Sequence, residues 1–424
     1  MRKPRQSHLA AGLDLGTSGC RAVVLDSHRQ PLAWGRQAWP HGGMPDCPDQ
    51  WQQTALATLT QTCAEFSGQI ECLAIDGTSG SVLLTDRDGL PLTRGMPYNE
   101  PAEQRWSDLI NRLAPTASGA HGSSSGLARA LQLATEAELV KDFQIHSQAD
   151  WVAASLCADF SWCDENNALK LGYDPVNRCW PEWLNQLAIP PTAYPKVFPA
   201  GTPIAPITPA KAANSGLVST CRIVTGTTDS IAGLLAAGAD QPGEAVTSLG
   251  TTLALKLLSP TPTFSPQHGV YSHRLGQHYL TGGASNCGAG ILTHFFTPEQ
   301  LEELSSRLDP EHDTGLCYYP LLHTGERFPH HDPRLQPHLE PRPSSDAEFL
   351  QGLLEGLARV EAEGYRLLQE LGAPRLKRVV SVGGGATNQA WLRIRQRYLD
   401  VPVISATQTE AAFGAALLAH RCIQ

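Results

Sequence analysis

The chain has 424 residues, 41% of them apolar and 17% charged, with a formal net charge of −9 and a pI near 5.9. That length predicts two domains with sizeable cores, and the acidic balance excludes nucleic acid and anionic membranes as expected partners while leaving room for a local phosphate site. No run approaches the ~18 apolar residues of a membrane span, the apolar stretch before Asp14 is too short for a secretory leader, and eleven cysteines without a CxxC pair read as reduced thiols, so a cytoplasmic protein is expected.

The opening stretch "LAAGLDLGTSGCRAVVLD" reads as two strands around a Gly-Thr-Ser turn, and "RQPLAWGRQAW" as a third. "PDQWQQTALATLTQTCAEFSG" has helical apolar spacing. "IECLAIDGTSGSVLLTD" follows as strand, polar turn and strand. "SGAHGSSSGLARA" reads as a Gly/Ser surface loop, and "QIHSQADWVAASLCADF" as a helix. Pro190 to Pro209 is loop territory. "RIVTGTTDSIAGLLAAGA" is read as a strand, a Gly-Thr-Thr turn and a small-residue helix.

Near Ala239 the pattern starts again. "EAVTSLGTTLALKLLS" echoes the opening hairpin with its own G-T-T turn, a weak internal repeat. The expected division is 1–238, 239–408, and a closing helix at 409–424 that packs back on the N-terminal domain. A long helix carries Leu350, Leu353, Leu354, Leu357, Leu368 and Leu371, interrupted by polar Glu361 and by Gly364. "KRVVSVGGGATNQAWLRIRQRYL" predicts a strand, three glycines and a helix starting near Thr387 or Asn388.

Small residues with hydroxyls let backbone N–H groups approach phosphate oxygens. "GTSG" at 16–19 and "GTT" at 250–252 both qualify, one in each half, as a nucleotide held by two domains would require. There is no GxxxxGK[ST] and no GxGxxG in a βαβ setting. An acid beside a phosphate needs a cation, and Mg²⁺ takes one or two carboxylates plus phosphates and water; Asp14 fits that role. Asp229 fits the other carboxylate role in phosphoryl transfer, accepting the proton of an attacking hydroxyl, and it also suits an N-cap. His323, His330 and His331 match no metal-ligand spacing.

These motifs in this order resemble the FGGY carbohydrate kinases of the actin-like ATPase superfamily, over nearly the whole chain. "GLDLGTSGCRAVVLD" and "SLGTT" look like the two phosphate motifs, "GTTDSIAGLLAAGA" like the catalytic-aspartate motif, and "SVGGGATNQAWLRIRQRYLDVPV" like the adenosine motif. "YYPLLHTGERFPHHDP" is similar to the family's P-x-x-x-G-E-R-x-P-x-x-D-P loop. The resemblance implies an α/β fold of two ribonuclease-H-like domains, with ATP and Mg²⁺ in an interdomain cleft. It places Asp14 at Mg²⁺ and the substrate, and Asp229 at the base position. It puts Thr17, Ser18, Gly250, Thr251 and Thr252 on phosphate, and Gly384, Gly385 and Asn388 at the adenosine.

The chain most resembles short cyanobacterial and plant members described as D-ribulose or xylulose kinase-like, where the turn "DGTSGS" nominates Ser79, with Thr78 beside it, for the sugar. The expected reaction is phosphorylation of the terminal hydroxyl of a ketopentose, D-ribulose ahead of D-xylulose. The chain departs from the family where W-x-D-x-R becomes Tyr98-Asn99-Glu100 without the Arg, and where the Arg-Glu or Met-His pairs of better-known members would surround Ser79 and Gly80. Two other classes compete: a chaperone-like or filament-forming ATPase, for which 424 residues leave no peptide-binding domain, and a sugar-binding regulator with damaged catalysis, against which both acids and the Gly turns stand intact.

Overall fold

The computed structural model describes residues 8–40, 42–66, 68–122 and 125–423. By its internal packing the chain falls into two compact units, Met1–Ala236 with Glu410–Gln424, and Ala237–Thr409.

The first unit begins with the meander β1 (Leu9–Gly16), β2 (Gly19–Leu25) and β3 (Pro31–Ala38), followed by α1 (Pro48–Cys63) and β4 (Ile70–Gly77). Helix α1 opens on a proline, which has no N–H to leave orphaned, and buries Trp51, Ala55, Leu59 and Cys63 at four-residue intervals. Next come β5 (Val82–Thr85), α2 (Gln104–Leu113), α3 (Gly126–Glu136), β6 (Gln144–Ser147), α4 (Gln148–Cys157), β7 (Trp162–Asp164) and α5 (Glu165–Leu169). The series ends with β8 (Lys196–Phe198), β9 (Pro203–Pro206), α6 (Pro209–Ala213), β10 (Arg222–Thr228) and α7 (Asp229–Ala237). The main sheet has the order β3-β2-β1-β4-β10-β9; β5 with β6, and β7 with β8, form separate pairs. β1 runs parallel to β4 and β4 parallel to β10, so Asp14 faces Asp76 and Asp76 faces Thr227 in register.

The second unit is built on β11 (Glu244–Leu249), β12 (Leu253–Ser259), β13 (Tyr271–Leu275) and β14 (His278–Ser285), then α8 (Gly290–Phe295), α9 (Pro298–Ser305) and α10 (Asp346–Glu370), and finally β15 (Arg378–Val382), α11 (Gln389–Leu399) and β16 (Val403–Ser405). Its sheet has the order β13-β14-β12-β11-β15-β16. The polar break in the long helix has a partner: buried Glu361 accepts from Arg395 at 2.6 and 2.7 Å and from Thr247 at 2.5 Å. Gly364 gives room to Phe328, whose ring would lie 2.7 Å from any Cβ there.

The closing helix α12 (Ala411–His420) belongs to the first unit. Its small residues are required by contact: a Cβ on Gly12 would lie 2.1 Å from the Ala412 carbonyl, and one on Gly414 would lie 1.8 Å from that of Ala232.

Four local expectations need correction. The Gly/Ser loop ends early, because Ser125 caps α3 by accepting from the Ala128 N–H, and "GLARA" is helical; Ser123 and Ser124 lie outside the described residues, as do the first seven. "QIHS" is a strand, and Ser147 then starts α4 by accepting from the Asp150 N–H at 3.1 Å. The Pro190–Pro209 stretch holds two short strands. Gly226-Thr227-Thr228 is not a turn but the end of β10, where Gly226 passes so close to β4 that a Cβ would lie 1.6 Å from the Ile75 carbonyl oxygen.

Candidate active site

Three acids converge at strand ends of the first unit. Asp14, two residues from the end of β1, is almost fully buried, and Asp76 on the neighbouring strand is completely so. Asp229 follows β10 directly, partly buried, as the first residue of α7. It makes no bond across the helix's first turn; its Oδ1 accepts from the next N–H, of Ser230, at 2.6 Å. Arg21, across the hairpin from Asp14, lies 3.5 Å from Asp14 Oδ2. Asp14 Oδ1 and both Asp76 oxygens are buried without any protein hydrogen-bond partner.

Burial raises the Asp14 carboxyl to about 7; a proton shared with the neighbouring Asp76 carboxyl and the charge of Arg21 oppose the rise, and the charges of Asp229 and Glu410 add to it. Asp76 is held well above the usual carboxylate range by burial and by the charges of Asp14 and Asp229. Burial lifts Asp229 to about 6. Unsatisfied buried carboxylate oxygens suit a hard divalent cation. Among the described residues no three His, Cys, Asp or Glu side chains are grouped to hold a metal, so such an ion would rest on Asp14 and Asp76 and complete its shell with ligand and water oxygens. A Cβ at Gly16 would lie 3.1 Å from Asp14 Oδ2, so the turn glycine keeps the space beside the acid free.

The remaining nominated residues of this unit surround the acids unevenly. Thr17 and Ser18 are exposed at the hairpin tip. Thr78 is engaged, 2.6 Å from Ser81 Oγ and 3.4 Å from Gln148 Oε1. Ser79 Oγ is buried and unpartnered, as are Gln148 Nε2 and Asn166 Oδ1. Asn166 donates through Nδ2 to Thr227, the register neighbour of Asp76. The stretch that departs from the family pattern is built in: Tyr98 Oη lies 3.0 Å from Thr17 Oγ1. Its backbone accepts from buried Arg129 at the Tyr98 and Glu100 carbonyls, while Arg94 grips the Glu100 carboxylate at 2.6 and 2.8 Å.

The second unit holds a cleft of about 880 Å³, lined by Gly250, Thr251, Gly384, Gly385 and Asn388. Thr252 is not among its lining residues. Gly384 faces open space, whereas Gly385 must be glycine because Trp391 would lie 2.3 Å from a Cβ. Asn388 caps α11, accepting from the Trp391 N–H at 3.0 Å, and donates to Ser305 at 2.8 Å.

Sequence reading missed Asp76, Arg21, Gln148 and Asn166, and the cleft wall supplied by Ala289, Gly290, Leu301 and Ser305. A signal for Asp76 was present: "DGTSG" at 76–80 nearly repeats "DLGTSG" at 14–19 after another apolar strand. For the wall no local motif exists.

Residues 245–422 match the FGGY family of carbohydrate kinases, C-terminal domain. The chain is 25% identical over 439 residues to a xylulose kinase of Bacillus subtilis, covering 96% of this chain and 87% of that one. Its fold is similar to a xylulose kinase from Bifidobacterium adolescentis (TM-score 0.83, 21% identity, 98% and 92% coverage). It is also similar to a Plasmodium falciparum glycerol kinase with ADP (TM-score 0.84, 15% identity, 98% and 90% coverage). The likeness shows the fold, α/β with two ribonuclease-H-like domains.

Proposed function

We propose that this chain, whose residues 245–422 match the FGGY family of carbohydrate kinases, C-terminal domain, catalyses ATP-dependent phosphorylation of the terminal hydroxyl of a ketopentose, D-ribulose, as in the short ribulose or xylulose kinase-like members of that family. The observation that carries this reading is the set of buried, unpartnered polar atoms beside the acids: Asp14 Oδ1, both Asp76 oxygens, Ser79 Oγ, Gln148 Nε2 and Asn166 Oδ1. An apolar ligand would leave each of them unsatisfied at about 1–3 kcal/mol. A chain of hydroxyls, each both donor and acceptor, satisfies carboxylates, amides and a serine together.

Asp229 takes the proton of the terminal hydroxyl as that oxygen attacks the γ-phosphorus; the bond to the bridging oxygen breaks and ADP leaves. With its carboxyl lifted to about 6 by burial, Asp229 is mostly ionised at neutral pH yet a stronger base than an exposed aspartate. Asp14 and Asp76 would hold Mg²⁺, which when bound would supply positive charge against the phosphates. In the cleft of the second unit Gly250 and Thr251 take the phosphates, and Gly384, Gly385 and Asn388 the adenosine.

The test is a coupled ADP-release screen over pentuloses, polyols and aldoses. D-Ribulose and D-xylulose differ at C3 alone, so one misplaced hydroxyl separates them by roughly tenfold to a hundredfold in kcat/KM. Ser79→Ala is expected to raise KM for the ketose and narrow that preference, with KM for ATP unchanged. A tenfold preference for D-xylulose would instead favour the second reading, a xylulose kinase, which the names of the relatives support. Comparable kcat/KM for glycerol would overturn both.

A further inference from the structure

The G-E-R-F-P loop has no role in the chemistry above, and its acid, Glu326, is absent from the cleft lining. Glu326 is nonetheless buried and surrounded by donors. Its Oε1 accepts from the N–H groups of Asn286 at 2.7 Å, Arg327 at 2.9 Å and Phe328 at 3.4 Å. Its Oε2 accepts from the hydroxyls of Ser285 at 2.6 Å and Tyr319 at 3.0 Å. No cation is paired with it through these bonds; backbone and hydroxyl dipoles hold the charge.

Two of those donors, Ser285 and Asn286, begin the segment that leads to the cleft. Ser285 Oγ also accepts from the Cys287 N–H at 2.9 Å. A carboxylate only accepts, so the Ser285 proton must point to Glu326, which leaves a serine lone pair for Cys287. Asn286 Nδ2 donates to the Gly325 carbonyl at 2.9 Å and ties the two segments a second time.

From there the segment is zipped to the Gly-Thr-Thr turn. Leu253 N–H donates to Cys287 O at 2.7 Å, Ala289 N–H to Gly250 O at 2.8 Å and Gly290 N–H to Thr251 O at 3.3 Å. The fit has little tolerance. A Cβ on Gly288 would lie 2.3 Å from the Thr251 carbonyl oxygen, and one on Gly290 would lie 2.8 Å from Thr251 Cγ2. Gly250, Thr251, Ala289 and Gly290 all line the cleft.

The far side is anchored too. Glu326 and Asp332 exchange backbone hydrogen bonds at 2.8 and 3.0 Å. Phe328 is buried against Gly283 of β14 and Gly364 of α10, where Cβ atoms would approach its ring to 2.4 and 2.7 Å.

We propose that Glu326 is the positioning residue of the nucleotide cleft: it fixes Ser285–Cys287 and thereby sets how Ala289 and Gly290 lie on the Gly250–Thr251 turn. The inference rests on the reading that this cleft takes the nucleotide. Glu326→Ala removes the acceptor for five donors. Glu326→Gln keeps an oxygen for the three N–H groups but turns a donor toward Ser285, whose own proton then loses its acceptor.

The test uses the full-length chain, titrated with ADP and Mg²⁺ and followed by amide hydrogen exchange. For Glu326→Ala the dissociation constant for ADP and KM for ATP are expected to rise at least tenfold, with KM for the ketose within twofold and faster exchange at residues 285–290. Glu326→Gln is expected to give the same changes at roughly threefold, and it carries the test where the alanine variant does not fold. Folded variants with native ADP affinity and native exchange at 285–290 would overturn the inference alone. A wild-type protein that binds no ADP would overturn the reading of the cleft, and the inference with it.

Discussion

The two sheets repeat one plan and fill it differently. In the first unit β1 is flanked by its hairpin partner β2 and by parallel β4; in the second, β11 is flanked by β12 and by parallel β15. Aligning "DLGTS" on "SLGTT" sets Asp14 against Ser248. Asp14 stands between Arg21 and Asp76, whereas Ser248 stands between Ala254 and Val382. Charge is not missing from the second sheet. One position along, Thr247 and Ser381 are register neighbours, and both bond to the buried Glu361–Arg395 pair. There every charge has a partner, while neither Asp76 oxygen accepts from a protein donor, and burial with the charges of Asp14 and Asp229 holds that carboxyl well above the usual range. Buried charges that are mutually satisfied hold a fold together; buried acids whose oxygens find no donor mark where a ligand must complete them.

Variants that remove one of each kind should separate rate from stability. Asp229→Ala is expected to reduce sugar-dependent turnover by about 10²–10⁴-fold, with ADP affinity and unfolding midpoint unchanged; near-native kcat would remove Asp229 as the base. Arg395→Ala strands Glu361 in the core and is expected to cost about 3–5 kcal/mol in urea unfolding. A loss below about 1 kcal/mol would mean that the pair is not the structural counterpart argued above.

Why some of this was readable in the sequence and some was not follows from distance along the chain. Hairpin turns and the three glycines before α11 are local, and turn chemistry reports them directly; the same chemistry misplaces a turn before Asp229, where Gly226–Thr228 continue β10 instead. The pairing of Asp14 with Asp76 arises from a parallel register between strands separated by α1, which no local pattern encodes. β6 is too short for its alternation to register before the Ser147 cap starts a helix. The Glu326 clamp joins segments some forty residues apart, 40 for its bond to Asn286. Tyr98 looked like a departure from a family pattern; its contact with Thr17 is visible only in space.

The open acids should also make the ligand-free protein's stability depend on pH. Asp14 titrates near 7 folded and near 3.8 otherwise, so between about pH 4 and pH 7 the folded form binds a proton that the unfolded form has released. Stability from this group is therefore full below pH 4 and falls as pH rises through 7, by up to about 1.4 kcal/mol per pH unit. Asp14→Asn is expected to flatten that slope in urea unfolding without nucleotide or Mg²⁺, and to match or exceed the wild type at pH 8. The same variant is expected to lose Mg²⁺-dependent turnover. An unchanged slope would show that the acids are satisfied within the protein, and the contrast between the sheets would fail.

The smallest effect is expected at Ser248. It occupies the Asp14 position of the repeat, half-buried, with an alanine and a valine as register neighbours. Nothing there needs a cation, and the adjacent Gly250 and Thr251 already line the cleft with backbone and hydroxyl groups. A serine hydroxyl at such a place contributes at most one ordinary hydrogen bond, about 0.5–1.5 kcal/mol. Ser248→Ala is therefore expected to raise KM for ATP by no more than about tenfold, with kcat and the Mg²⁺ dependence unchanged. A hundredfold loss of kcat, or a shifted Mg²⁺ requirement, would mean that the second hairpin carries ion chemistry of its own. The two sheets would then share one division of labour, with a hydroxyl in one doing what a carboxylate does in the other.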